Sequence, residues 1–266
     1  MTRAMPGATA ATGGFTARQS WKRTLVELGV LAIAALLLFF AARGCLGFVA
    51  ERAALGLPPS ADAKIGVLAA TQLRKAHSLG AQPAEVQRQR CERVFGELKS
   101  ALTADETQML GAANITVVVD DSVNAFALPG GEVFVLTGLL DRVGPEGDAL
   151  LRGVLAHELG HAVRRHGMRN IARSTAFGIA LALLFGEVDS LTATIAAAAT
   201  QLDRLRYGRD METEADDFGA GLLERSGHAS EGLAQFLESL ESQPVPELLS
   251  THPDPKARAA RLREKR

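Results

Sequence analysis

Leu150-Leu151-Arg152-Gly153-Val154-Leu155-Ala156-His157-Glu158-Leu159-Gly160-His161-Ala162-Val163 is the stretch whose pattern decides the fold. Leu150, Leu151, Val154, Leu155, Ala162 and Val163 fall at helical spacing, so one helix is expected from Asp148 to His166, started by Pro145 and Asp148 and stopped by Gly167. Within it, His157-Glu158-Leu159-Gly160-His161 is an HExxH pattern. Residues on an α-helix advance by about 100°, so positions i and i+4 return to within roughly 40° of each other and two imidazoles can hold one ion. Glu158 then stands beside the ion, placed to take a proton from zinc-activated water and pass it to the leaving amine of a cut peptide. His166 lies across the helix from His157 and is expected at the surface near a helix C-terminus, not as a ligand. Arg164, Arg165, Arg169 and Arg173 are expected to form a solvated basic face.

A catalytic zinc takes three protein ligands and leaves one position open, so a further ligand must come from another segment. Arg209-Asp210-Met211-Glu212-Thr213-Glu214-Ala215-Asp216 opens a helix expected to reach Arg225. Glu212 and Asp216 stand at i and i+4 and share a face, while Glu214 points away from both. The expected division makes Glu212 the third ligand of one Zn2+ per chain, with Asp216 accepting a hydrogen bond from a ligand histidine. The plain alternative is a charged, solvent-facing turn.

HExxH followed downstream by ExEAD resembles the membrane-associated zinc metalloproteases of the HtpX, Oma and prenyl-protein (CAAX) endopeptidase group, and most closely their soluble-domain periplasmic branch. The segment from Asn124 to Leu140 is similar to the hairpin that precedes HExxH in that family, and Thr251-His252-Pro253 with Arg258 to its C-terminal HPxxxxR element. The resemblance implies a gluzincin-like zincin fold. It also implies that Asn124, Ala125 and Phe126 lie on a sheet edge that grips substrate backbone. His252 would either stabilise the oxyanion or swing onto zinc as a fourth ligand. Arg258 would sit near Glu212, orienting it or binding substrate carbonyls. The implied role is removal of misfolded or misassembled envelope proteins.

The surrounding segments suit that frame. Ile115 to Val119 and Glu132 to Leu136 are strand-like runs, with Pro129-Gly130-Gly131 as a turn, which gives a small mixed sheet beside the HExxH helix. An exposed edge of such a sheet can pair with an extended peptide, although the side chains of Phe126 and Leu128 also suit a core. Helices are expected over Ala63 to His77, Pro83 to Leu98 and Gly232 to Leu240. Thr103-Ala104-Asp105-Glu106 has capping-box form. Gln243-Pro244-Val245-Pro246 is expected as a linker, and Asp254-Pro255 as the N-cap and first turn of a terminal helix carrying Arg258. Ile171 to Phe185 and Leu191 to Leu202 are apolar but each too short to span a bilayer. They are expected as helices flanking the site, with a hairpin dipping into the membrane as the alternative. The class is α+β, predominantly helical.

The 266 residues carry a net charge of −1 and no glycine-rich phosphate motif, which argues against nucleic acid or nucleotide partners. Cys45 and Cys91 are too few for a disulfide framework or a thiolate zinc site. Residues 1–23 are expected as a disordered cytoplasmic arm, 24–50 as a signal anchor, and 51–266 as a zinc metalloprotease domain whose catalytic core covers about 112–260. The uncharged run from Leu28 to Ala42 spans about 22 Å and reaches bilayer thickness once Gly44 to Ala50 is added. A cleaved secretory signal is the alternative to an anchor. Arg3, Arg18, Lys22 and Arg23 precede the first acid, Glu27. They favour a single pass through a bacterial-type inner membrane with the protease domain on the periplasmic side. Arg43 beside the site argues against lipidation of Cys45.

The chain thus reads as a membrane-anchored zinc metalloendopeptidase with protein or peptide substrates. Two other readings stand beside it: a chaperone or assembly factor whose protease site is normally shut by His252, and a non-catalytic interaction domain held together by zinc.

Overall fold

The computed structural model describes residues 15–77, 82–185, 197–198, 207–242 and 245–265. The chain divides into two compact units, Met1–Leu46 and Gly47–Arg266. The first unit holds most of helix α1 (Phe15–Leu55), so residues 15–23, expected in an unstructured arm, are helical. An i,i+4 ion pair from Arg23 to Glu27 at 2.9 Å supports that turn. Leu25, Leu31, Leu36, Leu38 and Phe40 all stand exposed along the helix, and a helix apolar all round belongs in a core or a membrane. Among the described residues it is the one helix long and apolar enough to cross a bilayer. Its segment Trp21–Leu55 has 35 residues, and at about 1.5 Å per residue it exceeds a hydrocarbon core of about 30 Å.

The second unit is built around α6 (Asp148–Val163). Before it come α2 (Pro59–His77), α3 (Glu85–Ser100), α4 (Ala104–Leu110), β1 (Asn114–Val118), β2 (Ala125–Ala127), β3 (Glu132–Leu136) and α5 (Thr137–Val143). After it come α7 (His166–Phe185), α8 (Arg209–Arg225), α9 (Glu231–Ser242), α10 (Pro246–Thr251) and α11 (Pro255–Glu264). The sequence suggests one apolar face for α6, but every residue from Gly153 to Ala162 is buried. Helices α8 and α9, strand β2 and helix α3 enclose it. Leu151, Leu155 and Leu159 are fully buried, each stabilising the fold by about 1.5–3 kcal/mol relative to exposure. Two glycines make the enclosure feasible. A methyl carbon on Gly153 would lie 2.5 Å from the Leu233 nitrogen in α9, and one on Gly160 would lie 2.8 Å from the Ala215 carbonyl oxygen in α8.

The sheet has the order β1-β3-β2, with β1 parallel and β2 antiparallel to β3, which is the small mixed sheet expected. Alternation sends Ala125, Ala127, Val133 and Val135 into the α6 core. Phe126 and Phe134 go to the opposite face, where they meet Ala69, Ala70 and Leu73 of α2. Those two rings stack at 5.3 Å. The β2–β3 turn runs through Gly130 and Gly131, at φ 83° and 88°, a conformation that glycine adopts without strain. Thr103 and Glu106 form both halves of the capping box at the start of α4.

Three local expectations need correction. The helix expected over Asp148 to His166 stops at Val163, and Arg165 takes a left-handed φ of 58° before α7 begins at His166. Gly167 therefore lies inside a helix and does not end one. The break lets the Arg165 guanidinium reach Asp62 at 3.2 and 2.5 Å and the carbonyl oxygens of Leu55 and Leu57 at 3.0 and 2.9 Å. The expected basic face is consequently an ion-pair cluster. Arg169 binds Glu51 at 2.8 Å and Glu214 at 2.8 Å and Arg173 binds Glu51 at 3.0 Å, while Arg164 is exposed and lies over the Phe218 ring at 5.8 Å. Asp254 precedes α11 as expected but makes no side-chain cap. Its backbone is left-handed, and its carboxylate pairs with Arg209 at 2.7 Å. The apolar run from Ile171 to Phe185 is part of α7; of the second run only 197–198 are described, and Gln243 and Pro244 lie outside the described residues.

Candidate metal centre and active site

His157 and His161 lie one turn apart on α6, and Glu212 lies in the first turn of α8. The close approach of α6 to α8 at Gly160 and Ala215 brings the two segments together. His252, in the bend between α10 and α11, completes a cluster of four possible donor atoms within 4.8 Å of one another. The two Nε2 atoms of His157 and His161 are 2.9 Å apart, and each is 3.5 Å from a Glu212 carboxylate oxygen. His252 Nδ1 stands 3.1 Å from Glu212 and 3.4 Å from His157 Nε2. All four residues are buried, none more than 5% exposed.

The surrounding hydrogen bonds define which ring nitrogens carry protons. Asp216 Oδ1 lies 3.0 Å from His157 Nδ1, and the carboxylate is gripped by Arg258 Nε and Nη2 at 2.9 and 2.7 Å. A carboxylate only accepts, so His157 donates through Nδ1 and turns Nε2 toward the cluster. Two imidazole nitrogens and a carboxylate therefore meet in a dry pocket, where a single cation must offset them. A proton on His157 is one way to supply that charge. Burial and Arg258 both work against it, but hydrogen bonds to Asp216 and Glu212 push the His157 pKa up to about 9. Burial and the neighbouring His157 charge hold His161 well below its ordinary range. Burial alone would raise Glu212, but the charge of His252 and hydrogen bonds from His157 and His252 hold it well below the usual carboxylate range. Two imidazoles with a carboxylate are a donor set that suits a divalent transition metal, and the same place fits a metal ion in exchange for the proton.

Glu158, the residue after His157, faces β2 and His252. It accepts a hydrogen bond from the Ala127 N–H at 3.0 Å and lies 3.8 Å from His252 Nε2. Burial raises its pKa against the opposing charges of His252 and His157. This contact defines the edge of β2. The Leu128 N–H and the Asn124 carbonyl bond to β3, so the alternation turns the backbone polar groups of Ala125 and Ala127 to the opposite edge, which has no partner strand among the described residues but is buried, not exposed as expected. Of the segment Asn124-Ala125-Phe126, the backbone of Ala125 thus faces the site, whereas the Phe126 ring packs behind the sheet and Asn124 Oδ1 is buried with no hydrogen-bond partner among the described residues. Arg258 Nη1 also meets Glu212 at 2.5 Å, so one guanidinium braces both Asp216 and Glu212. A small apolar cavity of about 20 Å³, walled by Val154, Leu233, Phe236, Leu237, Leu240 and Leu248, adjoins His157, Glu158 and His252.

Three residues around the cluster were not legible as such. His166, expected at the surface, is fully buried. Its Nδ1 lies 2.9 Å from His161 Nδ1 and its Nε2 lies 3.1 Å from Glu214. Burial pushes its pKa down to about 4. The left-handed turn at Arg165 produces this placement, and no periodicity argument foresees it. Glu214 does point away from Glu212, as expected, but toward His166. Tyr207, the only tyrosine in the chain, is buried with its ring 4.0 Å from the His161 ring, and its backbone N–H donates to the Thr251 carbonyl at 3.1 Å. Nothing in its sequence context marks it.

The family model described as Peptidase family M48 matches residues 85–266. The chain is 36% identical over 152 residues to mitochondrial metalloendopeptidase OMA1 of Arabidopsis thaliana, covering 56% of this chain and 30% of that protein. It is 32% identical over 167 residues to metalloprotease YcaL of Escherichia coli, covering 57% and 61%. To the beta-barrel assembly-enhancing protease of Escherichia coli it is 34% identical over 164 residues, covering 56% and 33%. The alignment therefore spans less than two thirds of each of these relatives. With a family match running from the start of α3 through α11 and enclosing the HExxH helix, the sheet and the ExEAD helix, the chain belongs to peptidase family M48.

Proposed function

We propose that this protein is a membrane-anchored zinc metalloendopeptidase that cuts internal peptide bonds of misfolded or misassembled envelope proteins. The observation that carries the reading is the convergence of His157 Nε2, His161 Nε2 and Glu212 in a buried cluster, with Glu158 on the adjoining helical position and, against it, the buried β2 edge that has no partner strand among the described residues. His157, His161 and Glu212 would hold the metal, and Asp216 with Arg258 would keep His157 and Glu212 aimed at it. Bound there, zinc would supply a Lewis acid that polarises a carbonyl and lowers the pKa of water. Glu158 takes one proton from the attacking water as oxygen bonds to the scissile carbon, and returns it to the amine nitrogen as the C–N bond breaks, giving a new amine and a new carboxylic acid that loses its remaining proton to solvent. Its burial suits a base whose pKa must lie above the ordinary carboxylate range. The Ala125 and Ala127 backbone would pair with an extended peptide, and the Ala127 N–H would leave Glu158 to do so.

The likeness to a protein named beta-barrel assembly-enhancing protease supports an envelope substrate. The apolar stretch of α1, with Arg18, Lys22 and Arg23 in the helical turns around its start, supports a single pass with the protease domain on the periplasmic side. A second reading rests on His252, whose Nδ1 stands among the would-be ligands, where a fourth protein donor closes the open position. In that form the protein binds clients and cuts only when the loop moves.

The test uses the full chain in detergent micelles, purified without chelator, with zinc content and casein cleavage measured for wild type, Glu158→Gln and His252→Ala. About one zinc per chain with cleavage abolished by Glu158→Gln supports the protease. A rise in cleavage for His252→Ala supports the closed form. Bound zinc with no cleavage by any variant favours the binding or structural readings, and no zinc removes the ligand assignment.

A further inference from the structure

We propose that His166 is a positioning residue of the metal centre, one that sets the tautomer of His161 through a relay ending on Glu214. The inference rests on the proposed metal site. Glu214 Oε2 receives Arg169 Nη1 at 2.8 Å and lies 3.1 Å from His166 Nε2. As a carboxylate it can only accept, so His166 Nε2 carries a hydrogen. The neutral His166 ring then has a lone pair at Nδ1, which faces His161 Nδ1 at 2.9 Å. Two facing lone pairs would repel, so the hydrogen between the rings belongs to His161 Nδ1, and His161 Nε2 is left with the lone pair that points into the cluster. The direction of every bond in the chain follows from the carboxylate at its end.

The two histidines of HExxH are thus oriented by different devices. His157 donates directly to Asp216, which Arg258 holds. His161 reaches its carboxylate through a second imidazole. The longer route has a structural reason: α6 ends at Val163, and the left-handed Arg165 folds the start of α7 back beneath His161, so His166 fills the space between His161 and α8. Glu214, at i+2 from Glu212, lies on the side of α8 away from the cluster and is free to close the relay. Arg169 ties the same carboxylate to Glu51, near the end of α1 and within the second unit, and so restrains it from rotating into solvent.

An acceptor at the position of His166 Nδ1 is the requirement, and Asn can supply it: its side-chain oxygen occupies nearly the place of that nitrogen. Phe keeps the ring's bulk and removes the acceptor. The experiment measures zinc affinity by competition with a chromophoric chelator for the full chain in micelles, comparing wild type, His166→Asn and His166→Phe. Far-ultraviolet circular dichroism and the unfolding midpoint of the metal-free forms accompany each. His166→Phe is expected to bind zinc about 10–100-fold more weakly, the range for lost outer-shell partners, while His166→Asn stays within a few-fold of wild type. Equal loss in both variants, or no loss in His166→Phe, overturns the relay. Should His166→Phe fail to fold, Glu214→Leu decides: weaker zinc binding supports the relay and unchanged binding refutes it. A wild-type chain that binds no zinc refutes the metal-site reading itself, and the relay falls with it.

Discussion

Replacing Gly160 by Ala tests whether the metal centre depends on how closely α6 approaches α8. The new methyl carbon would stand 2.8 Å from the Ala215 carbonyl oxygen and 3.0 Å from its Cα, where ordinary contact begins at 3.4 Å. Both obstructing atoms are backbone, so no side chain can swing aside. The helices must separate by about 0.6 Å, the difference between the two distances, or α6 must rotate. Metal sites tolerate ligand displacements of only about 0.2 Å, so His157 and His161 on one helix and Glu212 on the other cannot all remain in reach. The expected consequence is a 10–100-fold weaker hold on zinc, the scale on which disturbed supporting groups act. Stability changes less. Overpacking costs about 1–3 kcal/mol, and the better helix propensity of Ala returns about 1 kcal/mol, which leaves a net loss of about 0–2 kcal/mol. Gly96→Ala in α3 is the matched control, because Gly96 is exposed and a methyl there meets nothing within 4 Å. It should stabilise the chain by about 0.5–1 kcal/mol. Chelator competition and thermal unfolding in micelles measure both quantities. If Gly160→Ala matches the control in stability and the wild type in zinc affinity, the helix contact does not set the ligand geometry.

Arg165→Leu leaves the buried Asp62 carboxylate without its partner and should destabilise by about 3–5 kcal/mol in chemical denaturation, whereas adding Asp62→Leu should recover much of the loss. Single and double variants of equal stability would show that the pair is not coupled. Metal-free chain should lose stability as pH falls from 6.5 to 4. The folded His166 pKa of about 4 lies below its ordinary 6.5, so in that window the unfolded state binds the proton and the folded state does not. A group with that shift accounts for up to about 3 kcal/mol, and His166→Asn should remove this part of the slope. Chelation should leave the second unit folded, with zinc at a hundred times its dissociation constant adding about 2.7 kcal/mol. Cooperative unfolding on chelation at neutral pH would instead mark the metal as structural.

Elements whose identity depends on local spacing were readable, and those made by one backbone turn were not. HExxH and ExEAD are each a single helical face, so the pairs His157–His161 and Glu212–Asp216 follow from the 3.6-residue period, and the strand runs around Ile115 and Val133 follow from their β-branched residues. Their union is also legible in retrospect, because Gly160 and Ala215 are the small residues at the closest point of two helices, though a lone glycine in a helix carries several meanings. The end of α6 is not legible in the sequence because Arg164, Arg165 and His166 all suit a continuing helix. What breaks it is tertiary: Arg165 in the left-handed region gains Asp62 and two backbone carbonyls, and these contacts outweigh a local cost of about 1–2 kcal/mol. The same turn converts three of the four arginines that look like a solvated stripe into a cluster centred on Glu51 and Asp62, and places a histidine expected at the surface in the interior. One residue's φ therefore decides both where α7 starts and what His161 leans on. A residue of this kind would also explain why the expected ligands could be named from spacing while the group that orients one of them could not: ligand pairs lie within single helices, but His166 reaches His161 only after the chain has turned.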